Sequence, residues 1–349
     1  MKKLLSTLLL ATLAIPALAG GNKEVPGLSY YLPKTAVRMQ VLVEKTVTTP
    51  GQLNEYADLY FKTAAPQNTT TDYRIVGVKF STVAVRNEAE HHTVAIDKKY
   101  SVLSVDCDAN GVLRAINTKA PAVDKPESFR PAPKPAPLNP RDYMSQDILA
   151  AANLPKMAQL VAQEIYDVRD SRNLLSRGEA DFMPKDGEQL RLMYKQLDCQ
   201  EKALMQLFLG TTTVDTTEYV VNFVPEKTAL RSMAFRFSKK FGLLPADDLS
   251  GEPYYIDITN ENVTAEPPAV DEQANKQKDA FQLAVCLPGK ISLALSTGGA
   301  DIAHYQMWAA QFGRTELLNG ALFGKKITSK LVLDAATGAV VELTTEPLE

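Results

Sequence analysis

A chain of 349 residues, 45% of them hydrophobic and 23% charged, is long enough for two or more domains with ordinary cores. Its formal net charge of −3 leaves no electrostatic footprint for nucleic acid or for an acidic membrane surface. Cys107, Cys199 and Cys286 lie far apart with no CxxC pair, so they build no disulfide framework; at most one bridge can form, and three small buried hydrophobes is the plainer reading.

Lys2-Lys3, an apolar run from Leu4 to Ile15 broken by Pro16, and the small-x-small site Ala17-Leu18-Ala19 read as a secretory signal peptide, residues 1–19. The run is too short to span a bilayer, and cleavage would leave Gly20 as the first mature residue. No cysteine follows the site, no later apolar run is long enough for a membrane helix, and the mixture of strands with helices argues against a membrane barrel. The expectation is export through the Sec pathway to the periplasm, the outer-membrane surface or the medium, with no integral membrane segment after cleavage.

Residues 20–120 are expected to form an N-terminal β-rich domain. Tyr30-Tyr31-Leu32-Pro33 opens a strand, and Val37, Met39, Val41 and Val43 alternate with Arg38, Gln40 and Glu44. Pro50-Gly51 reads as a turn, and Leu53, Tyr56, Ala57, Tyr60 and Phe61 have the spacing of a short helix. Strands are predicted over 73–85 and around 93–96, then a hairpin over 100–116 whose turn, Asp108-Ala109-Asn110-Gly111, supplies positive φ angles.

Prolines 121, 126, 131, 133, 135, 137 and 140 make 121–142 a semi-rigid extended connector, with a docking peptide for an aromatic groove as the sharper alternative. Residues 143–210 read as a long antiparallel helical hairpin, entered through a short helix around 146–152. Leu154, Ala158, Val161, Ile165, Val168 and Leu175 follow spacings of four and three, with Arg172 in the remaining slot. Leu190, Met193, Leu197, Leu204 and Leu207 do the same, with Gln200 in the gap. Pro155 and Arg177-Gly178 mark the ends of one helix, Asp186 and Gly210 those of the other.

Residues 211–349 are expected to form a second β-rich domain, with strands over 219–224, 232–237, 254–258, 281–286, 291–295, 327–333 and 339–344, and an exposed loop over 260–278. Two regions look alike. Leu32-Pro33-Lys34 and Leu287-Pro288-Gly289-Lys290 each lead into an alternating strand, then a short aromatic helix (Tyr56 to Phe61; Trp308 to Phe312). Each closes on a strand-turn-strand, at Asp106 to Gly111 and at Asp334 to Gly338. The fold class is α+β: two β-rich domains with the long antiparallel helical hairpin inserted between them. Duplication of one β unit is weighed evenly against two sheets that share turn chemistry.

Further segments stand out: Tyr31-Leu32-Pro33-Lys34-Thr35, Arg169-Asp170-Ser171-Arg172, Gly178-Glu179, Phe208-Leu209-Gly210, Arg236-Phe237-Ser238, Leu249-Ser250-Gly251-Glu252-Pro253 and Gln311-Phe312-Gly313. With Pro50-Gly51, they make the chain resemble a family of exported proteins of Bacteroides-type bacteria, a domain of unknown function, over nearly the whole mature length. Val285-Cys286 stands where that pattern has Tyr-Arg. The resemblance implies no activity, ligand or catalytic residue.

Glu88, Glu90, His91 and His92 are the densest set of metal-ligand types, yet on a strand only Glu90 and His92 share a face, so an exposed edge or turn is the better reading. Asp106, Asp108, Asn110 and Gly111 imitate the start of a calcium loop, but Asn117 stands at the bidentate position and strands flank it, so a hairpin turn is preferred. Cys286 and His304 would make a thiol–imidazole pair across strands, with no third group to orient them. Trp308, the sole tryptophan, is read as core packing. Arg169, Arg172 and Arg177 with Glu164, Asp167 and Asp170 form a charged helix face, of which Arg172 is aimed at the seam and needs a carboxylate or carbonyl partner there.

No catalytic, cofactor-binding or metal residue is assigned, and the candidates for a site or partner surface are Arg172, Arg169, His304 and Trp308. Two readings follow. One is a non-enzymatic binding or assembly module of the cell envelope, with a protein or envelope component as its partner. The other is a hydrolase-type enzyme with a site between the two β domains.

Overall fold

One strand runs through the cores of this protein. The computed structural model describes residues 27–96, 99–130, 134, 136–184, 186–268, 281–324 and 327–347; the expected signal peptide, Pro131, Pro133, Pro135 and the far part of the 260–278 loop lie outside them. Strand β1 (Gly27–Thr49) has 23 residues, roughly 75 Å of chain at about 3.3 Å per residue. Its first inward positions, Leu28, Tyr30 and Leu32, meet Phe281, Leu283, Val285 and Leu331 in a lower core. Val37, Met39, Val41 and Val43 meet Phe235, Ile256, Leu293 and Met307 in a middle core. Beyond Pro50-Gly51 the chain enters a third, with Leu53, Ala57, Ile148, Ile165, Leu204 and Phe208.

The remaining elements, in order, are α1 (Ala57–Phe61), β2 (Thr70–Ala95), β3 (Val105–Cys107), β4 (Leu113–Ile116), α2 (Gln146–Leu149), α3 (Leu154–Arg177), α4 (Gly187–Leu209), β5 (Thr211–Phe223), β6 (Arg231–Ser238), β7 (Gly242–Leu244), β8 (Glu252–Thr264), β9 (Gln282–Thr297), β10 (Ala300–Asn319), β11 (Ile327–Leu333) and β12 (Val340–Pro347). Three antiparallel sheets result, ordered β2-β1-β5, β10-β9-β8-β6-β7 and β12-β11-β4-β3. The first two enclose the middle core as a sandwich.

This topology corrects the expected fold class. The described residues are 49% strand and 22% helix, and the strands of the two expected domains interleave. β1 pairs with β5 from Val37–Phe223 to Thr49–Thr211, and β4 pairs with β11. Nor does a long antiparallel helical hairpin organise the chain; multiple antiparallel sheets do. The helix ends fall where the sequence signals put them: Asn153 and Asp186 accept backbone N–H groups as N-caps, and Gly178 closes α3 at φ +72°. The seam is another matter. In α4 only Ala203, Leu204, Leu207 and Phe208, in its last turns, are buried, and there they meet Leu53 and Ile148 from outside the pair. Leu190, Met193 and Leu197 are half-buried. Periodicity located the apolar stripes but said nothing about which surface covers them.

Two long hairpins, β1–β2 and β9–β10, bend in the same way. Leu32 alone stands opposite residues 87–90, and Pro288 alone opposite residues 310–313, so each hairpin carries a wide bulge where it passes from the lower core to the middle one. The strands expected at 73–85 and 93–96 are therefore one strand, as are those at 281–286 and 291–295. The likeness of the two β regions is confined to these hairpins. Trp308 to Phe312, expected to be helical, lie in β10. The third strand beside β1 comes later in the chain and the one beside β9 comes earlier.

The bend is held by a buried clasp. Thr35 N donates to Gln311 Oε1 at 3.0 Å, and Gln311 Nε2 donates to the carbonyls of Thr35 and Pro225, both at 2.9 Å. The Thr35 hydroxyl donates to the Ala336 carbonyl and accepts from Ala310 N, both at 2.9 Å. Both hydroxyl roles are used, which is what makes this threonine tolerable at zero exposure.

Glu127 to Phe129 of the connector lie across the outer face of β2-β1-β5. Gln40 Nε2 donates to the Glu127 carbonyl at 3.4 Å, Phe129 N donates to Glu218 Oε2 at 2.9 Å, and Lys79 Nζ stands 4.6 Å from the centre of the Phe129 ring. Glycines dock the helices onto the sheet. A Cβ at Gly210, where φ is +79°, would fall 2.0 Å from the Thr49 carbonyl oxygen, and one at Gly51 would fall 2.2 Å from that of Leu207. Gly210→Ala is expected to cost more than about 4 kcal/mol in urea unfolding. Gly178→Ala, with φ +72° and nothing within 4 Å, costs about 1–2 kcal/mol from its backbone conformation alone. Thr35→Val leaves the Ala310 amide unpaired and costs about 1–3 kcal/mol.

Candidate functional site: a cleft at the end of the sandwich

Where β2 begins, the two sheets of the sandwich part. Period-two alternation aims Tyr73 and Ile75 of β2, Phe237 of β6 and Tyr254 of β8 inward. β2 reaches the other sheet here through the Tyr73 amide, which donates to the Lys239 carbonyl at 2.8 Å. The gap is an open cavity of about 470 Å³. Tyr254 is stacked on Phe235 at 4.7 Å and edge-on to Phe237 at 6.2 Å. Gly242, at φ +79°, sits so close that a Cβ there would be 3.1 Å from the Tyr73 ring, so the glycine backs that ring.

The rim is polar. Arg74 is engaged by Glu44, Nε to Oε1 at 2.5 Å, and this hydrogen bond raises its pKa. Lys239 and Glu252 have no ion-pair partner among the described residues. Asp248 accepts from the Ser250 hydroxyl at 2.7 Å and its amide at 2.9 Å, which fixes the loop and holds the Asp248 carboxyl below the usual range. Tyr254 is the unusual member. It lines the cavity at 9% exposure, and its hydroxyl has no hydrogen-bond partner among the described residues. Burial first, then the neighbouring Glu252 carboxylate, raises its pKa, so it stands as a neutral phenol able to donate and accept.

The sequence candidates lie elsewhere. Arg169 reaches Glu201 at 2.7 Å and stands over the Phe61 ring at 5.4 Å. Arg172 lies 2.7 Å from Asp198 and 3.9 Å from Glu201, with its side chain 47% exposed, so its carboxylate partners sit on the flank of the helix pair. The Asp198 contact is a close charge pair and not an aligned hydrogen bond. His304 and Trp308 share the outer face of β10, two positions either side of Gln306. Trp308 is 39% exposed beside Lys290, which corrects its expected place in the core: Met307 and Ala309, the alternate positions, are the buried ones.

Cys286 and His304 do not pair. His304 stands opposite Ala294 of β9, eight residues from Cys286, which is roughly 26 Å of strand. Cys286 borders a smaller cavity of about 280 Å³ at the bulges, with Glu90, Lys227, Gln311 and Arg314. Its thiol donates to the Ala310 carbonyl at 3.6 Å, and burial, with a lesser push from Glu90, raises its pKa to about 12. Glu90 itself lies 3.1 Å from His92. At the Asp108 turn, the carboxylate accepts from the Asn110 and Val112 amides, and Asn117 Oδ1 accepts from Leu103 N, as a hairpin turn requires. No group of three or more His, Cys, Asp or Glu side chains suited to a metal occurs among the described residues.

Tyr73, Lys239, Glu252 and Tyr254 carry no signal of a site in the sequence, because nothing in the local pattern says that three segments spread over about 180 positions converge. The segments Arg236-Phe237-Ser238 and Leu249-Ser250-Gly251-Glu252-Pro253 were visible, and both border this cleft. No helix of the described residues is long and apolar enough to cross a membrane. The sequence model of a family described as Domain of unknown function (DUF4831) matches residues 26–341. No curated protein and no solved structure matches the chain.

With a pKa of about 12, about one Cys286 thiol in ten thousand is ionised at pH 8. Iodoacetamide at that pH is expected to leave Cys286 unmodified in the folded protein and to alkylate it after denaturation, as read by peptide mass spectrometry. Folded Cys286 and Tyr30 both keep their protons to higher pH than the unfolded chain does. Their contribution to stability is complete below about pH 9, the ordinary thiol value, and is lost as pH rises above it, so urea midpoints fall in that range.

Proposed function

Because the chain belongs to the family of the domain of unknown function DUF4831, whose match spans residues 26–341 and brings no assigned activity, we propose its role from the site: an exported, non-enzymatic binding module of the cell envelope that holds its ligand in the cleft between β2, β6 and β8. One observation carries this reading. Tyr254 is nine-tenths buried on the wall of the 470 Å³ cavity, with its hydroxyl open to that cavity and unpaired among the described residues, and a polar group aimed into an apolar-walled cavity is what orients a ligand. The envelope location rests on Lys2-Lys3, the short apolar run and Ala17-Leu18-Ala19.

Two measurements test it. Expressed with its own N-terminus in a Gram-negative host, the protein is expected in the envelope or periplasmic fraction with Gly20 as its first residue; an uncleaved cytoplasmic product overturns the location. Incubated with envelope extract and repurified, the protein is expected to carry an adduct in native mass spectrometry that Tyr254→Phe and Tyr73→Ala lose. An adduct retained by both variants, or none at all, overturns the cleft.

A further inference from the structure

We propose that the cleft is a binding site for a neutral saccharide, a ligand class that deepens the binding reading above and rests on it. The aromatic component comes first. The Tyr73 ring is backed by Gly242 and flanked by Phe237 and Ile75, which makes an apolar surface on one side of the cavity. A pyranose ring has such a surface of its own on its C–H face, and stacking buries both.

The polar groups suit the remaining edge of a sugar. The Tyr254 hydroxyl can donate and accept, and Ser238, which accepts from the Lys240 amide at 3.3 Å, keeps its proton to donate. Ser250, whose proton goes to Asp248 at 2.7 Å, can only accept, as can Glu252, and Lys239 only donates. A ring of sugar hydroxyls, each both donor and acceptor, matches that mixture. An ion of either sign matches it poorly. Arg74 is already neutralised by Glu44 at 2.5 Å, and among the side chains that line the cavity what remains is Lys239 and Glu252. Lys45, 5.9 Å from the centre of the Tyr73 ring, is engaged with that ring, so little net charge offsets the desolvation of a charged ligand. An extended peptide would add to the outer edge of β2, and at the cleft the Tyr73 amide on that edge is already bonded to the Lys239 carbonyl. The volume, about 470 Å³, lies in the range of small-ligand sites.

The test uses the full mature chain labelled with ¹⁵N and titrated, at millimolar concentration, with neutral oligosaccharides of glucose, mannose, galactose, xylose and N-acetylglucosamine. Oligouronates and a mixed peptide library serve as the other arms. At least one neutral saccharide is expected to shift amide signals of Tyr73, Phe237 and Tyr254. Affinity is expected to fall about ten-fold or more in Tyr73→Ala and about five- to ten-fold in Tyr254→Phe, the loss of one hydrogen bond, with Trp308→Ala unchanged. Tyr254→Phe keeps the ring packing and so separates lost binding from lost folding. If oligouronates or peptides shift the cleft signals and neutral sugars do not, the saccharide inference falls and the cleft stands. If no arm shifts them, or sugar binding depends on Trp308 instead, both fall.

Discussion

The bend at the two bulges is the constraint on which the other parts depend. β1 serves two cores from opposite faces, with even-numbered Leu28, Tyr30 and Leu32 in the lower and odd-numbered Val37, Met39, Val41 and Val43 in the middle. Its regular ladder is interrupted where it passes from one to the other. Leu32 opposite four residues of β2, and Pro288 opposite four of β10, break that regularity at the same level. The Thr35–Gln311 clasp then fixes the angle. It joins β1 to β10, reaches the Pro225 loop after β5, and takes in the Ala336 carbonyl of the β11–β12 turn. Four parts of the chain that share no ladder at this point are thus tied by hydrogen bonds to one threonine and one glutamine, buried or half-buried, where each bond counts for more than in water.

Much of this protein can be read from the sequence at the level of single elements and little at the level of their association. The alternation of Val37, Met39, Val41 and Val43 is what the middle core uses, and the Asn-Gly turn at 110–111 and the caps of α3 and α4 are local chemistry that the fold leaves intact. Prolines and glycines are where local pattern and fold part. Pro288-Gly289 punctuates a strand in most contexts; here a bulge removes the need for a ladder N–H, and Gly313 lets the opposite backbone close to a point where a Cβ would lie 1.8 Å from the Leu287 oxygen. That requirement is tertiary, and no window of the chain contains both partners. Trp308 was misplaced for a related reason. Its aromatic neighbours have helical spacing, while the strand partner that sets its true period, Lys290, lies eighteen positions away.

The interleaving of the sheets bears on how function is distributed. No piece of this chain holds the cleft by itself: Tyr73 belongs to the first long hairpin, Phe237 and Tyr254 to the meander after the helices, and Ile302 to the second long hairpin. A site assembled from such distant segments exists only when the whole sandwich is closed. Its aromatic walls, Phe237 and Tyr254, are also members of the middle core. Binding surface and structural core are here the same side chains seen from two sides, and substitutions in the cleft must be designed to keep ring volume.

The two glycines at the foot of the helices have a mechanical consequence. A helix of 23 residues, the length of α4, is about 35 Å long, and its base meets the end of β1 by backbone-to-backbone contact at Gly51 and Gly210. At these two points no side chain lies between the backbones to absorb a tilt, so a small rotation there becomes a larger displacement along the arm. The half-open groove at its far end, lined by Leu174, Phe182, Met193 and Leu197, is held like the tip of a lever. Its position in space is set at the fulcrum, by two peptide contacts and the third core packed around them.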